Sequence, residues 1–220
     1  MNKLLLLILF LTAVTTSAQF GGPVNSANRE YFPAVIEFEN GTIQKGFAVC
    51  PRGPRKENID FKSSENATEE QIDSERLAKL IFNLPNKEII FERNYFTRFY
   101  GKNSEKISNE KVWMVALASS ENLTLLKASQ KYYISGDNKF YFVEKQGSIH
   151  FGDMPYLFKK ADTDNAVIIC STIKSAYQKG RTRKNLVKFF NEYPDFVKRI
   201  GSYKIKFEEI DLIIEQCLKL

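Results

Sequence analysis

The sequence contains little of the side-chain chemistry on which most enzyme sites depend. Among 220 residues there is one histidine, three cysteines and one tryptophan. Any Ser-His-Asp or Cys-His mechanism therefore has to use His150, and a zinc site would have to take its other ligands from cysteines or carboxylates. The cysteines lack the C-x-x-C spacing of zinc sites, and three of them cannot staple a chain of this length as in a disulfide-dense miniprotein.

Nucleotide-binding motifs are missing as well. Neither G-x-x-x-x-G-K-[ST] nor G-x-G-x-x-G occurs, so the sequence predicts no nucleotide cofactor. The acidic cluster of Glu69, Glu70, Asp73 and Glu75 lacks the spacing of an EF-hand and is typical of a solvated surface. We therefore expect no cofactor, no metal and no catalytic residue that the sequence alone identifies.

Only one long hydrophobic run is present, and it lies at the N-terminus. Lys3 precedes an apolar run over Leu4–Leu11, and Thr16 and Ala18 provide small residues before a cut at Gln19. This layout predicts a signal peptide over residues 1–18. The alternative is a membrane anchor, which requires about 20 apolar residues, more than this run contains. A lipid anchor would require a cysteine at the cut, and there is none. We expect an exported protein, periplasmic or extracellular, with no membrane span after the signal peptide is removed.

The remaining composition is that of one soluble globular domain. The chain is 43% hydrophobic and 26% charged, with a formal net charge of +6, which excludes a disordered polyelectrolyte. An exported basic protein meets envelope polyanions, glycans or acidic protein surfaces before it meets nucleic acid. The expected partner is an envelope protein or a polyanionic or glycan component, although dispersed lysines also serve solubility.

Residues 19–154 are predicted to form an antiparallel β-rich domain. Short β-prone runs recur at close intervals with turn residues between them, a pattern typical of a meander that curls into a barrel or sandwich. The clearest signal is Asn40-Gly41 between two such runs, which predicts a hairpin with a type I′ turn. The period then changes near Tyr156, and residues 155–220 are predicted as a C-terminal helical segment packed on the same domain.

The last part of that segment carries the clearest helical pattern. Ile210, Ile213, Ile214, Cys217 and Leu218 form an apolar stripe, and Pro194 separates two earlier helices. Around Val167 the apolar cluster suits a strand as well as a helix. The predicted fold class is therefore α+β: an antiparallel β-meander curled into a barrel or sandwich, followed by C-terminal α-helices packing on it.

Two ends of the sequence together carry a family resemblance. They are the early strand with Glu39-Asn40-Gly41 followed by Gly46 and the Phe61-Lys62 strand, and the closing segment from Phe189 to Pro194 with its isoleucine-rich terminal helix. With the SAQ-type cleavage site, the chain resembles exported β-rich proteins of Bacteroidetes-type bacteria that have no assigned activity. The resemblance implies a periplasmic or surface-exposed β-rich protein and carries over no active site.

Two basic groups are the candidate ligand-binding residues. They are Arg52, Arg55 and Lys56 in one loop, and Arg181, Arg183 and Lys184 near the start of the helical segment. Brought together by the fold, they would hold a polyanion or an acidic partner. The alternative is two unrelated solvated loops.

The odd number of cysteines leaves two possibilities open. Either one pair closes in an oxidising compartment and one thiol remains, or all three stay buried and reduced. Cys170 and Cys217 both lie in apolar patterns and are the predicted pair if a disulfide forms. Cys50, before Pro51, is then the free thiol.

Two functions follow as hypotheses. The first is an exported non-enzymatic binding or structural protein of the bacterial envelope. The second is a secreted hydrolase with a carboxylate-based or His150-based site.

Overall fold

The structure, a computed structural model, describes residues 30–100, 104–143, 156–170, 176–201 and 215–219. The predicted signal peptide, His150 and the stripe residues Ile210, Ile213 and Ile214 lie outside the described residues. The described part is mostly β-structure. Its strands are β1 (Tyr31–Phe38), β2 (Ile43–Val49), β3 (Asn58–Lys62), β4 (Glu70–Asp73), β5 (Leu77–Leu84), β6 (Lys87–Tyr100), β7 (Ser104–Ile107), β8 (Val112–Ser119), β9 (Leu123–Lys127), β10 (Lys131–Ile134), β11 (Phe140–Val143), β12 (Tyr156–Lys160) and β13 (Asn165–Cys170).

The predicted hairpin at Asn40-Gly41 joins β1 to β2, but its turn is not type I′. A type I′ turn requires positive φ at both central residues. Gly41 has a φ of +80°, but Asn40 does not have a positive φ; among the described non-glycine residues only Asn138 does. The backbone N–H of Gly41 donates to the carbonyl of Phe38 at 2.9 Å, and that of Phe38 donates to Thr42 at 2.9 Å. This pattern is a three-residue loop with the glycine in the left-handed region.

Eleven of the strands form one sheet, and five of these close into a barrel. The neighbour order is β13-β12-β9-β8-β6-β5-β1-β2-β3-β4, and β13 also pairs with β6, which closes the ring β6-β8-β9-β12-β13. All pairings are antiparallel except β13 with β6, which is parallel. The predicted antiparallel meander that curls into a barrel is confirmed. β10 and β11 pair as a separate hairpin.

The fourteen-residue strand β6 belongs to both halves of the molecule. On one side it pairs first with β5 through Glu92 and then with β13 from Tyr95 onward. On the other side it pairs with β8 and then with β7. The open part of the sheet and the barrel therefore share one rigid strand.

An aromatic core lies between the open part of the sheet and the β10–β11 hairpin. The Phe91 ring makes edge-on contacts with Phe82, Trp113 and Tyr132, at centroid distances of 5.9, 6.4 and 5.1 Å. The Tyr132 hydroxyl donates to the Trp113 carbonyl at 2.7 Å, so its polar end is satisfied within the core. These contacts fasten the hairpin to β6 and β8.

The barrel interior is filled by alternate residues of its five strands. Val112, Met114, Leu126, Leu157 and Ala166 form one buried cluster. Leu125 and Phe158, on the opposite face of β9 and β12, pack outside the barrel with the helices. This alternation is the period of two that β-structure imposes.

The predicted onset of helix near Tyr156 is wrong. Residues 156–160 and 165–170 are the strands β12 and β13, and the first helix, α1 (Ala176–Phe189), begins after them. The physical reason is barrel closure, because β13 fills the gap between β12 and β6.

The C-terminal helices pack on the outside of the barrel, as predicted. Pro194 begins α2 (Pro194–Gly201), and residues 215–217 are also helical. The rings of Phe189, Phe190 and Phe196 meet Phe158 of β12 or one another at centroid distances of 4.8–5.9 Å.

Candidate functional site

The first predicted basic group, in the loop after β2, is held against β8 and β10. The backbone N–H of Trp113 donates to the Pro54 carbonyl at 2.8 Å, and the backbone N–H of Tyr132 donates to the Arg52 carbonyl at 3.4 Å. The Arg55 guanidinium pairs with Glu110 at 2.7 Å. Arg52 and Arg55 are exposed and Lys56 is half-buried. The loop is fixed, and the charge of Arg55 is balanced locally.

The second predicted basic group lies on α1. Arg181 Nη2 donates to the Phe99 carbonyl of β6 at 3.2 Å, Arg183 is half-buried, and Lys184 is exposed. Asn185, on the buried face of the same helix, donates from Nδ2 to the carbonyls of Ile168 and Ile169 at 3.0 and 3.1 Å. These bonds fix the orientation of α1 on β13.

The two basic groups contact different strands of the protein. The loop contacts β8 and β10, whereas α1 contacts β6 and β13. No contact between the two groups is found among the residues that the structure describes. The helical group therefore has to be judged with its own neighbours.

The segment that contains this second basic group carries almost all of the net charge of the chain. Residues 176–201, which form α1, α2 and their connection, contain seven basic and two acidic side chains, a net charge of +5. The whole chain has a net charge of +6. Without residues 1–18, the rest of the chain has twenty-four basic and twenty-four acidic side chains and is neutral. The overall basicity is a property of the two helices.

Six of these seven basic side chains, from residue 181 onward, form what we call the basic helical surface: Arg181, Arg183, Lys184, Lys188, Lys198 and Arg199. Lys184, Lys198 and Arg199 are exposed. Lys188 pairs with Glu105 at 3.3 Å and lies 4.1 Å from the centroid of the Phe99 ring. The sequence analysis did not single out Lys188, Lys198 or Arg199. A charge count by segment was the signal that would have found them.

The shape of this surface suits an extended ligand. From Arg181 to Lys188 the basic residues of α1 span about 10 Å along the helix, and α2 adds Lys198 and Arg199. Exposed charges spread over such a distance contact several anionic groups of one polymer, each weakly. Anchoring of the helices by Asn185 and the phenylalanine cluster keeps the array in place.

The structure also contains an ion pair that the sequence did not predict. Lys159 of β12 donates to Glu92 of β6, and the two side chains are only 14% and 10% exposed. Both face the barrel interior, since Glu92 lies opposite Met114 and Lys159 opposite Ala166 in the strand register. Asn94 Nδ2 lies 3.5 Å from Glu92 Oε2. The carboxylate is therefore neutralised by a partner, an arrangement typical of structure rather than of acid–base catalysis.

Among the described residues, Asp60 is also a buried carboxylate, and it has an amide partner. Gln71 Nε2 donates to Asp60 Oδ1 at 3.1 Å across β3 and β4. Among the described residues, no group of three or more His, Cys, Asp or Glu side chains is arranged to hold a metal ion. His150 lies outside the described residues, so the His150-based hypothesis stays a hypothesis.

A lysine joins three turns at the end of the sheet. Lys111 Nζ pairs with Glu39 at 2.8 Å and with Asp164 at 3.1 Å. Burial lowers the pKa of Lys111, but the hydrogen bonds and charges of the two carboxylates outweigh it, so that the pKa is raised above its ordinary value. The group links the β1–β2 turn to the β12–β13 turn.

All three cysteines are buried, and none is joined in a disulfide in the structure. Burial raises the pKa of the Cys50 thiol well above its ordinary value, and the same holds for Cys217. A thiol kept protonated is a poor nucleophile. The geometry therefore does not favour a nucleophilic role for Cys50.

Fold and surface together define an α+β protein with a closed five-stranded barrel and a basic helical face. Comparison of the chain with protein-family models, curated proteins and solved structures found no match in any of the three. Among the described helices, none has both the length and the apolar character needed to cross a bilayer.

Proposed function

We propose that the protein is an exported, non-enzymatic binding protein of the bacterial envelope, and that its basic helical surface binds a polyanionic component there. The observation that carries the proposal is the confinement of a net charge of +5 to residues 176–201. A charge distributed for solubility alone would be spread over the whole surface.

Export is the first part of the proposal. It is supported by the charged, apolar and small-residue layout of residues 1–18. N-terminal sequencing of protein recovered from the envelope or medium tests it, and the expected first residue is Gln19. A mature chain that still begins with Met1 would contradict export.

A polyanion is the second part, and it is favoured over a compact small anion. The exposed positive side chains lie on two helices, and their neighbour Lys188 is paired with Glu105. Each exposed charge supplies little binding free energy in water, so useful affinity requires many simultaneous contacts.

Binding of residues 19–220 to alginate, a carboxylated polysaccharide, tests the second part, with neutral dextran as the matched control. We expect binding to alginate that weakens steadily between 50 and 200 mM NaCl, because salt screens exposed charges. Equal affinity for the two polymers, or affinity independent of salt, would show that the surface does not act by charge. Capture of an acidic envelope protein without polymer binding would identify a protein partner instead.

A further inference from the structure

We propose that Cys170 and Cys217 form a disulfide in the exported protein and that Cys50 remains a thiol. The proposal rests on the export proposed above, since the bacterial cytoplasm keeps thiols reduced. Three cysteines allow three different disulfide pairs. The positions of the cysteines in the fold favour one of these pairs.

Cys170 and Cys217 belong to the same buried cluster. Cys170 is the last residue of β13, and Cys217 lies in the helical residues 215–217. Cys170 is 6% exposed and Cys217 is 0% exposed, and both pack in the core between the barrel and the helices. Burial is the main cause of the raised pKa of Cys217, and electrostatic interaction with Cys170 adds to it.

Cys50 lies in the other core. It is buried with the aromatic cluster between the open sheet and the β10–β11 hairpin, and its thiol donates to the Pro51 carbonyl at 3.7 Å. Leu117 borders both clusters, but Cys50 packs in the first and Cys170 and Cys217 pack in the second. A disulfide requires Cα atoms within about 7 Å, which favours a pair from one cluster over a bridge between the two.

The bridge forms by thiol–disulfide exchange with a disulfide donor of the oxidising compartment. One cysteine thiolate attacks a donor sulfur, gives a mixed disulfide and releases a donor thiol. The thiolate of the second cysteine then displaces the other donor sulfur. Two electrons pass to the donor, which leaves as two thiols, and the two cysteine protons pass to solvent or to the released thiolates.

The timing follows from burial. Because the folded thiol of Cys217 is inaccessible and stays protonated, exchange takes place before the C-terminal residues pack, or when they open locally. The disulfide then closes a loop of about 47 residues and lowers the equilibrium constant of unfolding by about a thousandfold. The folded, reduced protein should react slowly with the same donor.

The experiment uses two preparations of the chain. The first is the exported protein, denatured and alkylated without reductant. The second is the reduced, denatured chain of residues 19–220, refolded with oxidised glutathione. We expect one alkylated cysteine, Cys50, and one linked pair of peptides containing Cys170 and Cys217. A Cys50→Ala variant should keep the link, and a Cys217→Ala variant should show two alkylated cysteines.

Three alkylated cysteines after refolding, or any link that contains Cys50, would overturn the pairing. The refolding preparation tests the geometry whether or not the chain is exported. Three alkylated cysteines in exported protein that begins at Gln19 would overturn the proposal on their own. Neither result depends on polymer binding, so failure of the polyanion proposal is distinguished from failure of this one.

Discussion

The ion pair between Glu92 and Lys159 inside the barrel provides the sharpest test of the fold. Replacing Lys159 with Met leaves the Glu92 carboxylate in the interior without its cation. Replacing Glu92 with Leu leaves the Lys159 ammonium there without its anion. Each single change therefore creates an uncompensated charge, whereas the double variant contains two apolar side chains of similar size.

The expected magnitudes follow from burial. The two side chains are 10% and 14% exposed, so each single variant should lose about 3 kcal/mol, at the lower end of the range for a buried pair. Met114 and the other interior residues already provide apolar surroundings. The double variant should therefore lie within about 1 kcal/mol of the wild type, which makes the two changes strongly non-additive.

Urea unfolding of the wild type, the two single variants and the double variant measures these free energies. The matched control is Lys160→Met, because Lys160 follows Lys159 on β12, pairs with Glu192 on the outside of the barrel at 2.7 Å, and is 35% exposed. The control should lose less than about 1 kcal/mol. Single variants as mild as the control, or a double variant equal to the sum of the singles, would refute the placement of this pair inside a closed barrel.

Two further predictions concern packing and pH. The Gly46→Ala variant should lose about 3 kcal/mol of folding stability, because a Cβ there would lie 2.2 Å from the Lys62 carbonyl oxygen and 2.5 Å from the Phe61 ring. A Cβ at Gly180 in α1 would meet nothing within 4 Å, so the Gly180→Ala variant should be about 0.5–1 kcal/mol more stable than the wild type. Thermal unfolding measures both changes. The pKa of Lys111 is higher in the folded state than its ordinary value of 10.5. Its ion pairs should therefore stabilise the fold fully below pH 10.5, and this stabilisation should be lost as the pH rises through the folded-state pKa. The difference in stability between wild type and Lys111→Met should therefore be constant from pH 7 to 9 and shrink above pH 10.5; a difference that grows at high pH would contradict it.

The sequence predicted those parts of the fold that depend on local pattern. Alternation of apolar residues indicated the strands, Asn40-Gly41 indicated the first hairpin, and Pro194 marked the start of a helix. The turn type was wrong because the adjoining strands are also compatible with a three-residue loop, in which Gly41 alone needs positive φ. Propensity does not distinguish the two.

Long-range pairing was beyond the sequence. The run around Val167 suits either a helix or a strand, and its pairing with β6, about 70 residues away, decides the outcome. The Glu92–Lys159 pair was hidden for the same reason, since its members lie 67 residues apart and meet only when the barrel closes. Three basic residues of α1 were found from the sequence (Arg181, Arg183 and Lys184), but Lys188 of the same helix and the basic residues of α2 were not.

The central claim is that the basic helical surface, and not the net charge of the protein, binds the polyanion. The most direct measurement compares the alginate affinity of two charge-reversed variants of equal net charge. One is Lys184→Glu with Lys198→Glu on the helices, and the other is Lys45→Glu with Lys131→Glu at exposed positions of β2 and β10. We predict a loss of about tenfold or more for the helical variant and less than about threefold for the strand variant at 100 mM NaCl. Equal losses in the two variants would contradict the claim.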